Sequence, residues 1–336
     1  MKILFISEDL LNIKSANYQS DIYQEIQNKN QVQYINTQNI NSSHLTKNYT
    51  DKFDIIIIGH SFLSDINNGI NINYNLDFSC VKKPIVFFLN KEYVNLSNKL
   101  KWIKKVNPKV VVTHSKLFYS KYKSLFDNTQ LMYMPFAANE KFFQYSNSYT
   151  KNIDFSFSGI LQNQNKNNLQ SDMRIKILKN IFYTLGDIPI LKKNNFQHMN
   201  IFWNTLPRYY SQRLLVKYIK KYKFLNIDEY ASIQKSTKIY FNSLSPYGIV
   251  SPRYYENMLS KCLIFSEETS YLSDLKKDVN IITFKSVSEF NEKLNYYLNN
   301  SSIRDDIVYK CHHFGMSNHT WSIRIKKFMN NLKEIV

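Results

Sequence analysis

The chain has 336 residues, 43% of them hydrophobic, with 44 Lys and Arg against 26 Asp and Glu for a net charge of +18. That length suits about two domains with ordinary globular cores. The three cysteines, Cys80, Cys262 and Cys311, are far apart and odd in number, which excludes a disulfide framework and points to a reducing compartment. No Cys pair or His/Cys cluster has the spacing of a zinc site. The lysine surplus accompanies a general preference for Asn, Lys, Ile and Tyr, as a coding bias would produce. It attracts phosphates of any origin without choosing among them. The opening MKILFISEDL has too short an apolar run for a signal peptide, and the run IIII (55–58) is far below a membrane span. The expectation is a soluble, cytoplasmic protein.

Taken in chain order, the first half alternates short apolar runs with helical patterns. The strands expected are KILFIS (2–7), VQYIN (32–36), DIIIIG (54–59), PIVFFL (84–89), KVVVTH (109–114) and QLMYMPF (130–136). They are apolar on consecutive residues, as parallel strands buried on both faces are. Helical patterns lie between them at 17–29, 94–106 and 116–126. The polar, aperiodic SNSYTKN (146–152) interrupts the alternation. It then resumes with IDFSFSG (153–159), a helix over 171–185, IPIL (188–191), a helix over 209–223, KIYFNS (238–243), a helix over 253–260, CLIFS (262–266), IITF (281–284) and a helix over 286–299. A last helical pattern covers 318–335. The fold class expected is α/β, with two Rossmann-like, doubly wound parallel-sheet domains facing across a cleft. Their bounds are 1–148, 149–317 and, for a C-terminal helix that could cross back to the first domain, 318–336.

The run SPRYYENMLSKCLIFSEE (251–268) carries the densest chemistry. Ser251-Pro252 reads as an N-cap followed by proline at the first helical position. The helix start offers N–H groups and a positive dipole end to an anion. Arg253 and Glu256, three residues apart, share one face. A guanidinium suits a phosphate and a carboxylate suits a pair of ribose hydroxyls. The same spacing also fits an intrahelical ion pair on a solvated face. Other candidates are more open. Lys91 could meet phosphate and Glu92 an acceptor hydroxyl, or both could be loop charges. His60 and His114 close apolar strands, where a site or a structural histidine could sit. Arg174 opens a helix and could reach a phosphate, cap the helix or lie on the surface. Lys166 is a weaker candidate of the same kind. KYIKKYKF (217–224) fits a solvated helix face better than a nucleic-acid or lipid surface, and Glu267 and Glu268 read as loop acids.

KIYFNSLSPYGIVSPRYYENMLSKCLIFSEE (238–268) resembles the C-terminal half of the GT-B glycosyltransferases, within the group 1 transferases of the spore-maturation CgeB-like branch. MPFAANEKFF (134–143), IDFSFSG (153–159) and NIDEYASIQKSTKIYFN (226–242) extend the resemblance over most of the chain, weakly in the first half. It implies that the second domain binds a nucleotide diphosphate sugar as donor, with no other cofactor. Glu256 would hold the ribose, and Gly159, Arg174, Ser251 and Arg253 would surround the diphosphate. Many relatives carry a further glutamate eight residues before Glu256. Here Gly248 stands there, so the transferred sugar is left open and the 245–251 loop takes over that place. The first domain would bind the acceptor, a hydroxyl of a glycan, lipid-linked glycan or surface structure, as in polysaccharide biosynthesis. Asn90 stands where relatives often have a histidine. The resemblance favours retention of configuration. With the first glutamate absent, inversion with Glu92 or His114 as base stays open.

No GxGxxG or P-loop is present, and no DxD closes a strand, so a dinucleotide oxidoreductase, a P-loop ATPase and a metal-dependent transferase of the single-domain type are not expected. Arginine and the helix dipole would then meet the charge of the leaving diphosphate instead of a metal. Peripheral membrane contact fits a lipid-linked acceptor. No aromatic RNA-binding motif is present and no nucleic-acid partner is expected. Two further readings remain: a non-catalytic nucleotide-sugar-binding or scaffold protein of the same fold, and a nucleic-acid-binding protein resting on charge alone.

Overall fold

The structure, a computed structural model, describes residues 1–8, 17–63, 72–92, 94–126, 128–161, 173–185, 188–191, 196, 198–207, 225–243, 249–272, 275 and 281–335. The expected helix over 209–223, Lys166, the 217–224 run and Gly248 lie outside them.

Two compact units emerge, each built on a parallel sheet. The first contains β1 (Lys2–Ser7), α1 (Asn17–Gln27), β2 (Gln31–Asn36), β3 (Ile55–Ile58), β4 (Ile85–Phe88), α2 (Leu96–Val106), β5 (Val110–Thr113), α3 (Lys116–Tyr122) and β6 (Gln130–Tyr133). Its strand order is β2-β1-β3-β4-β5-β6, all parallel. The continuous apolar runs explain this arrangement. Ile55 to Ile58 and Val110 to Val112 are completely buried, because helices cover both faces and leave no side to water. The C-terminal helix α10 (Trp321–Ile335) also belongs to this unit. It packs on α1, and Phe328 meets Phe88 with ring centroids 5.4 Å apart.

The second unit begins after Phe136. It contains α4 (Glu140–Phe143), β7 (Ile153–Leu161), α5 (Met173–Ile181), β8 (Phe182–Leu185), β9 (Ile188–Leu191), β10 (Ile201–Pro207), α6 (Ile227–Ser236), β11 (Thr237–Asn242), α7 (Pro252–Leu259), β12 (Leu263–Glu267), β13 (Ile282–Phe284), α8 (Val287–Asn299) and α9 (Ser301–Asn318). Its main sheet has the order β10-β7-β11-β12-β13, again all parallel. The aromatic core on one face includes Phe155, Phe157, Trp203, Phe241, Phe265, Phe284 and Phe290.

The structure departs from the expected elements in three places. The helix expected over 171–185 stops at Ile181, and 182–185 pairs antiparallel with 188–191 as a separate hairpin. Phe182, Tyr183 and Thr184 favour extended backbone, and Pro189 cannot donate to a central ladder. The edge strand of the main sheet is IFWNTLP (201–207), whose Asn, Thr and Pro dilute the apolar pattern. Helix α9, eighteen residues long, was not expected, since its apolar positions form no single stripe. Among the described residues, no helix is long and apolar enough to cross a membrane.

Candidate functional site

In an open parallel sheet, a crevice forms at the carboxyl ends where neighbouring strands connect in opposite directions. In the second unit that point lies between β7 and β11, since β7 is flanked by β10 on one side and β11 on the other. Gly159, near the end of β7, sits there. A Cβ at Gly159 would lie 3.1 Å from Arg253 Nη1 and 3.0 Å from Phe157 Cζ. The glycine therefore lets a guanidinium lie directly against the strand.

Arg253 comes from the first turn of α7. Ser251 is its N-cap in extended backbone and Pro252 opens the helix, but the Ser251 side chain makes no capping bond. Burial works against the charge of Arg253. The neighbouring Tyr230, Tyr240 and Glu256 outweigh it and raise the pKa. One turn on, Glu256 Oε2 accepts from the Tyr230 hydroxyl at 3.1 Å and, more weakly, from Gln234 Nε2 at 3.5 Å. Tyr230 and Gln234 are spaced i, i+4 on α6, so one helix face holds the carboxylate. The Tyr230 hydroxyl is held well above its ordinary pKa by burial and by Glu256.

Arg174, at the start of α5, is partly buried and donates through Nε to Ser243 Oγ, just beyond β11. Burial and the nearby Arg253 lower its pKa to about 10, while Glu267 acts in the opposite direction. Two arginines thus lie close together at one crevice, with Glu256 and Glu267 as their neighbouring carboxylates, and their mutual repulsion leaves the place favourable to a bound anion. Glu267 is the last residue of β12 and only 6% exposed, so it is part of this charge cluster and not a loop acid. Glu268 pairs instead with Lys285 at 3.4 Å near the surface.

A polar row crosses the otherwise apolar sheet at the same level. Asn204 lies opposite Ser158, and Ser266 lies between Asn242 and Thr283. Ser266 bonds the Tyr254 hydroxyl at 2.6 Å. Asn242 is 1% exposed, and neither its amide oxygen nor its nitrogen has a hydrogen-bond partner. A buried amide left so is costly unless a ligand or water completes it.

In the first unit, the corresponding crevice lies between β1 and β3. There a Cβ at Gly59 would come within 2.6 Å of Ser7 Oγ. His60 and His114, each 4% exposed, stack with ring centroids 4.9 Å apart and Nε2 atoms 2.6 Å apart. His114 Nδ1 lies 2.6 Å from the Met134 carbonyl, so that nitrogen carries the proton and donates. His114 Nε2 is then the acceptor and His60 Nε2 the donor. Burial lowers the pKa of His114 to about 4 and that of His60 well below the ordinary value. Both rings are neutral at pH 7.

Glu92 is 4% exposed, and Oε1 accepts from the Thr113 hydroxyl at 2.6 Å. Burial raises its pKa, against the opposing bond from Thr113. Its loop is fixed from beneath: buried Lys99 donates to the carbonyls of Asn90 and Lys91 at 2.8 and 3.1 Å, and Lys91 has left-handed backbone with φ 48°.

The structure thus gathers Gly159, Arg174, Arg253 and Glu256 in one unit, and Glu92, His60 and His114 in the other. Sequence reasoning missed Tyr230, Gln234, Asn242, Ser243 and Lys99, and it misread Glu267. The available signal was polar residues at the ends of apolar strands (Asn242, Ser243, Glu267) and a polar i, i+4 pair on the preceding helix. Among the described residues, no group of three or more His, Cys, Asp or Glu could hold a metal ion.

Residues 190–330 match a family described as glycosyl transferase-like. No curated protein sequence matches the chain. Among solved structures, an α-glucosyltransferase in complex with UDP-glucose and DNA containing an abasic site superposes with TM-score 0.67, 11% identity and coverage of 99% of both chains. Anabaena HepE in complex with UDP and glucose gives 0.65 at 11% identity, over 99% of this chain and 100% of that one. The β-glucosyltransferase of phage T4 in complex with UDP and Mn2+ gives 0.58 at 13% identity, over 100% of this chain and 99% of that one. The α/β fold with two parallel sheets is the one these GT-B glycosyltransferases share.

Proposed function

We propose that the chain is a glycosyltransferase that uses a UDP-sugar donor, and that Gly159, Arg253 and the start of α7 receive the diphosphate. The observation that carries this reading is the approach of the Arg253 guanidinium to Gly159 at the sheet crevice, with Arg174 over the neighbouring Phe157 ring at 6.0 Å. Arg174, near Arg253, adds a second guanidinium charge. Glu256, steadied by Tyr230, accepts from the ribose hydroxyls. Asn242 completes its buried amide on the bound donor or an ordered water.

In the transfer step, the bond from the sugar C1 to the diphosphate oxygen breaks and UDP leaves with the electron pair. The acceptor oxygen bonds to C1 and gives up its proton to the departing diphosphate oxygen. Preorganised guanidinium groups stabilise the charge developing on the leaving oxygen. We infer that this neutralisation is metal-independent and that configuration is retained. If configuration is instead inverted, Glu92 is the better base, since its raised pKa brings it nearer the operating range while both nitrogens of His114 are engaged. We assign the first unit to the acceptor and the second, which begins after Phe136, to the donor, with the C-terminal helix Trp321–Ile335 in the first. The run Ser251 to Glu256 supports placement in the CgeB-like branch. A glycan or lipid-linked glycan is the acceptor, and peripheral membrane contact would follow from the latter.

Titration calorimetry with UDP tests the donor site. Arg253→Ala should weaken binding by about 1.5–3 kcal/mol, the range for a hydrogen bond to a charged group. Unchanged affinity would remove Arg253 from the site. A hydroxyl on DNA is the second reading for the acceptor, favoured by the +18 charge and by the DNA in the similar α-glucosyltransferase structure. Label from UDP-[14C]glucose entering duplex DNA and not a lipid-linked glycan extract would select it.

A further inference from the structure

The opposite pole of the second unit holds a second pocket, of about 360 Å3. Lys151 precedes β7, Lys238 is the second residue of β11 and Lys261 precedes β12, so the pocket lies at the amino ends of strands whose carboxyl ends carry Gly159 and Arg253. Six residues of strand separate the two poles along β7, about 20 Å. Arg304, Tyr145 and Tyr309 complete the wall.

Its charge is organised. Lys151 is anchored by donating to the carbonyls of Thr237 and Ser260, each at 2.8 Å. The ammonium groups of Lys151 and Lys261 both lie 5.1 Å from the centre of the Tyr145 ring. Lys238 pairs with Asp154 at 2.7 Å and Arg304 with Asp305 at 3.2 Å. Four cations against two carboxylates leave two positive charges uncompensated. Among the described residues, the Lys261 ammonium has no hydrogen-bonding or ion-pair partner.

The backbone points the same way. Lys261 has φ 54°, in the left-handed position that ends α7, where glycine is the least strained residue. The chain accepts a strained backbone there and keeps a lysine aimed at the pocket. Tyr309, 58% exposed, offers an aromatic face at the mouth.

We propose that this pocket is a second ligand site, distinct from the donor crevice, and that it takes a phosphomonoester of sugar size. A phosphomonoester carries about −1.5 to −2 charge at neutral pH, which matches the uncompensated pair of positive charges. The volume is at the small end of ligand pockets, which fits a sugar phosphate better than a dinucleotide. The exposed Tyr309 ring provides a face for the sugar ring.

The test is calorimetric titration of the full chain, with and without saturating UDP, using glucose 6-phosphate, inorganic phosphate and glucose as probes. Glucose 6-phosphate should bind saturably at one site per chain in both conditions, more tightly than inorganic phosphate, and glucose should not bind. Lys261→Gly should weaken glucose 6-phosphate at least tenfold while the melting temperature holds or rises, because glycine relieves the left-handed strain. Arg253→Ala should leave this affinity within twofold. Absence of saturable binding, undiminished binding by Lys261→Gly, or loss of binding in Arg253→Ala would overturn the site. Inorganic phosphate binding as tightly as glucose 6-phosphate would overturn the sugar-sized ligand.

Discussion

Glu256 offers the sharpest separation between a ligand-binding role and a structural one. Its Oε2 accepts from the Tyr230 hydroxyl at 3.1 Å, and Tyr230 is partly buried. Glu256→Ala therefore removes a ribose acceptor and also strands a partly buried donor. The second effect alone costs about 1–3 kcal/mol of stability. Glu256→Gln separates the two. Its amide oxygen still accepts from Tyr230, so the melting temperature should fall less than in Glu256→Ala, the remaining loss coming from the carboxylate charge that offsets the burial of Arg253. The ribose loses a charged acceptor for a neutral one, a difference of about 1–2 kcal/mol, or roughly 5- to 30-fold in dissociation constant. Tyr230→Phe is the complementary change and should lower stability with little effect on UDP. Calorimetry with UDP and with its 2′,3′-dideoxy analogue closes the cycle. Wild type should prefer UDP, and the preference should shrink in Glu256→Gln. Equal affinity of wild type for the two nucleotides would refute the ribose role and leave Glu256 with a structural role only.

Other outcomes follow from the charges. Because burial raises the folded pKa of Glu92 above 4.5, the folded state holds its proton longer than the unfolded one; the resulting stability is full below that value and is lost as pH rises through the folded pKa. Glu92→Gln should therefore gain on wild type in urea unfolding as pH rises from 4.5, and a pH-independent difference would contradict this. The His60–His114 pair works in the other sense: with the folded pKa of His114 near 4, the unfolded chain binds protons first, so stability present above about pH 6.5 is lost as pH falls toward 4. Imidazole NMR signals of both residues should remain those of neutral rings at pH 5, and titration near 6.5 would show that the pair is solvated. Once a donor is found, transfer should persist in EDTA. Abolition by chelation and restoration by manganese would show that the arginines do not meet the diphosphate charge alone.

The α/β class was legible from the sequence because strands buried on both faces must be apolar at every position, and Ile55 to Ile58, Val110 to Val112 and Leu263 to Phe265 are. The start of α7 was legible too, since proline at the first helical position constrains the backbone locally whatever surrounds it. The hairpin at 182–191, edge strand β10 and helix α9 were not, because tertiary pairing and two-sided packing override a diluted or unstriped pattern. The same limit applied to the site. Arg253 and Glu256 stood out as neighbours on one helix turn. Tyr230 lies 26 residues before Glu256 and Arg174 lies 69 before Ser243, and no local rule joins them. Glu267 looked like a loop acid until β12 carried it near Arg174, and no sequence pattern set Lys261 apart before Tyr145 and Lys151 came to lie beside it. Local backbone preference and solvent exclusion act along the chain and can be read there. Charge pairing across a sheet depends on strand order and register, and only the folded chain sets those.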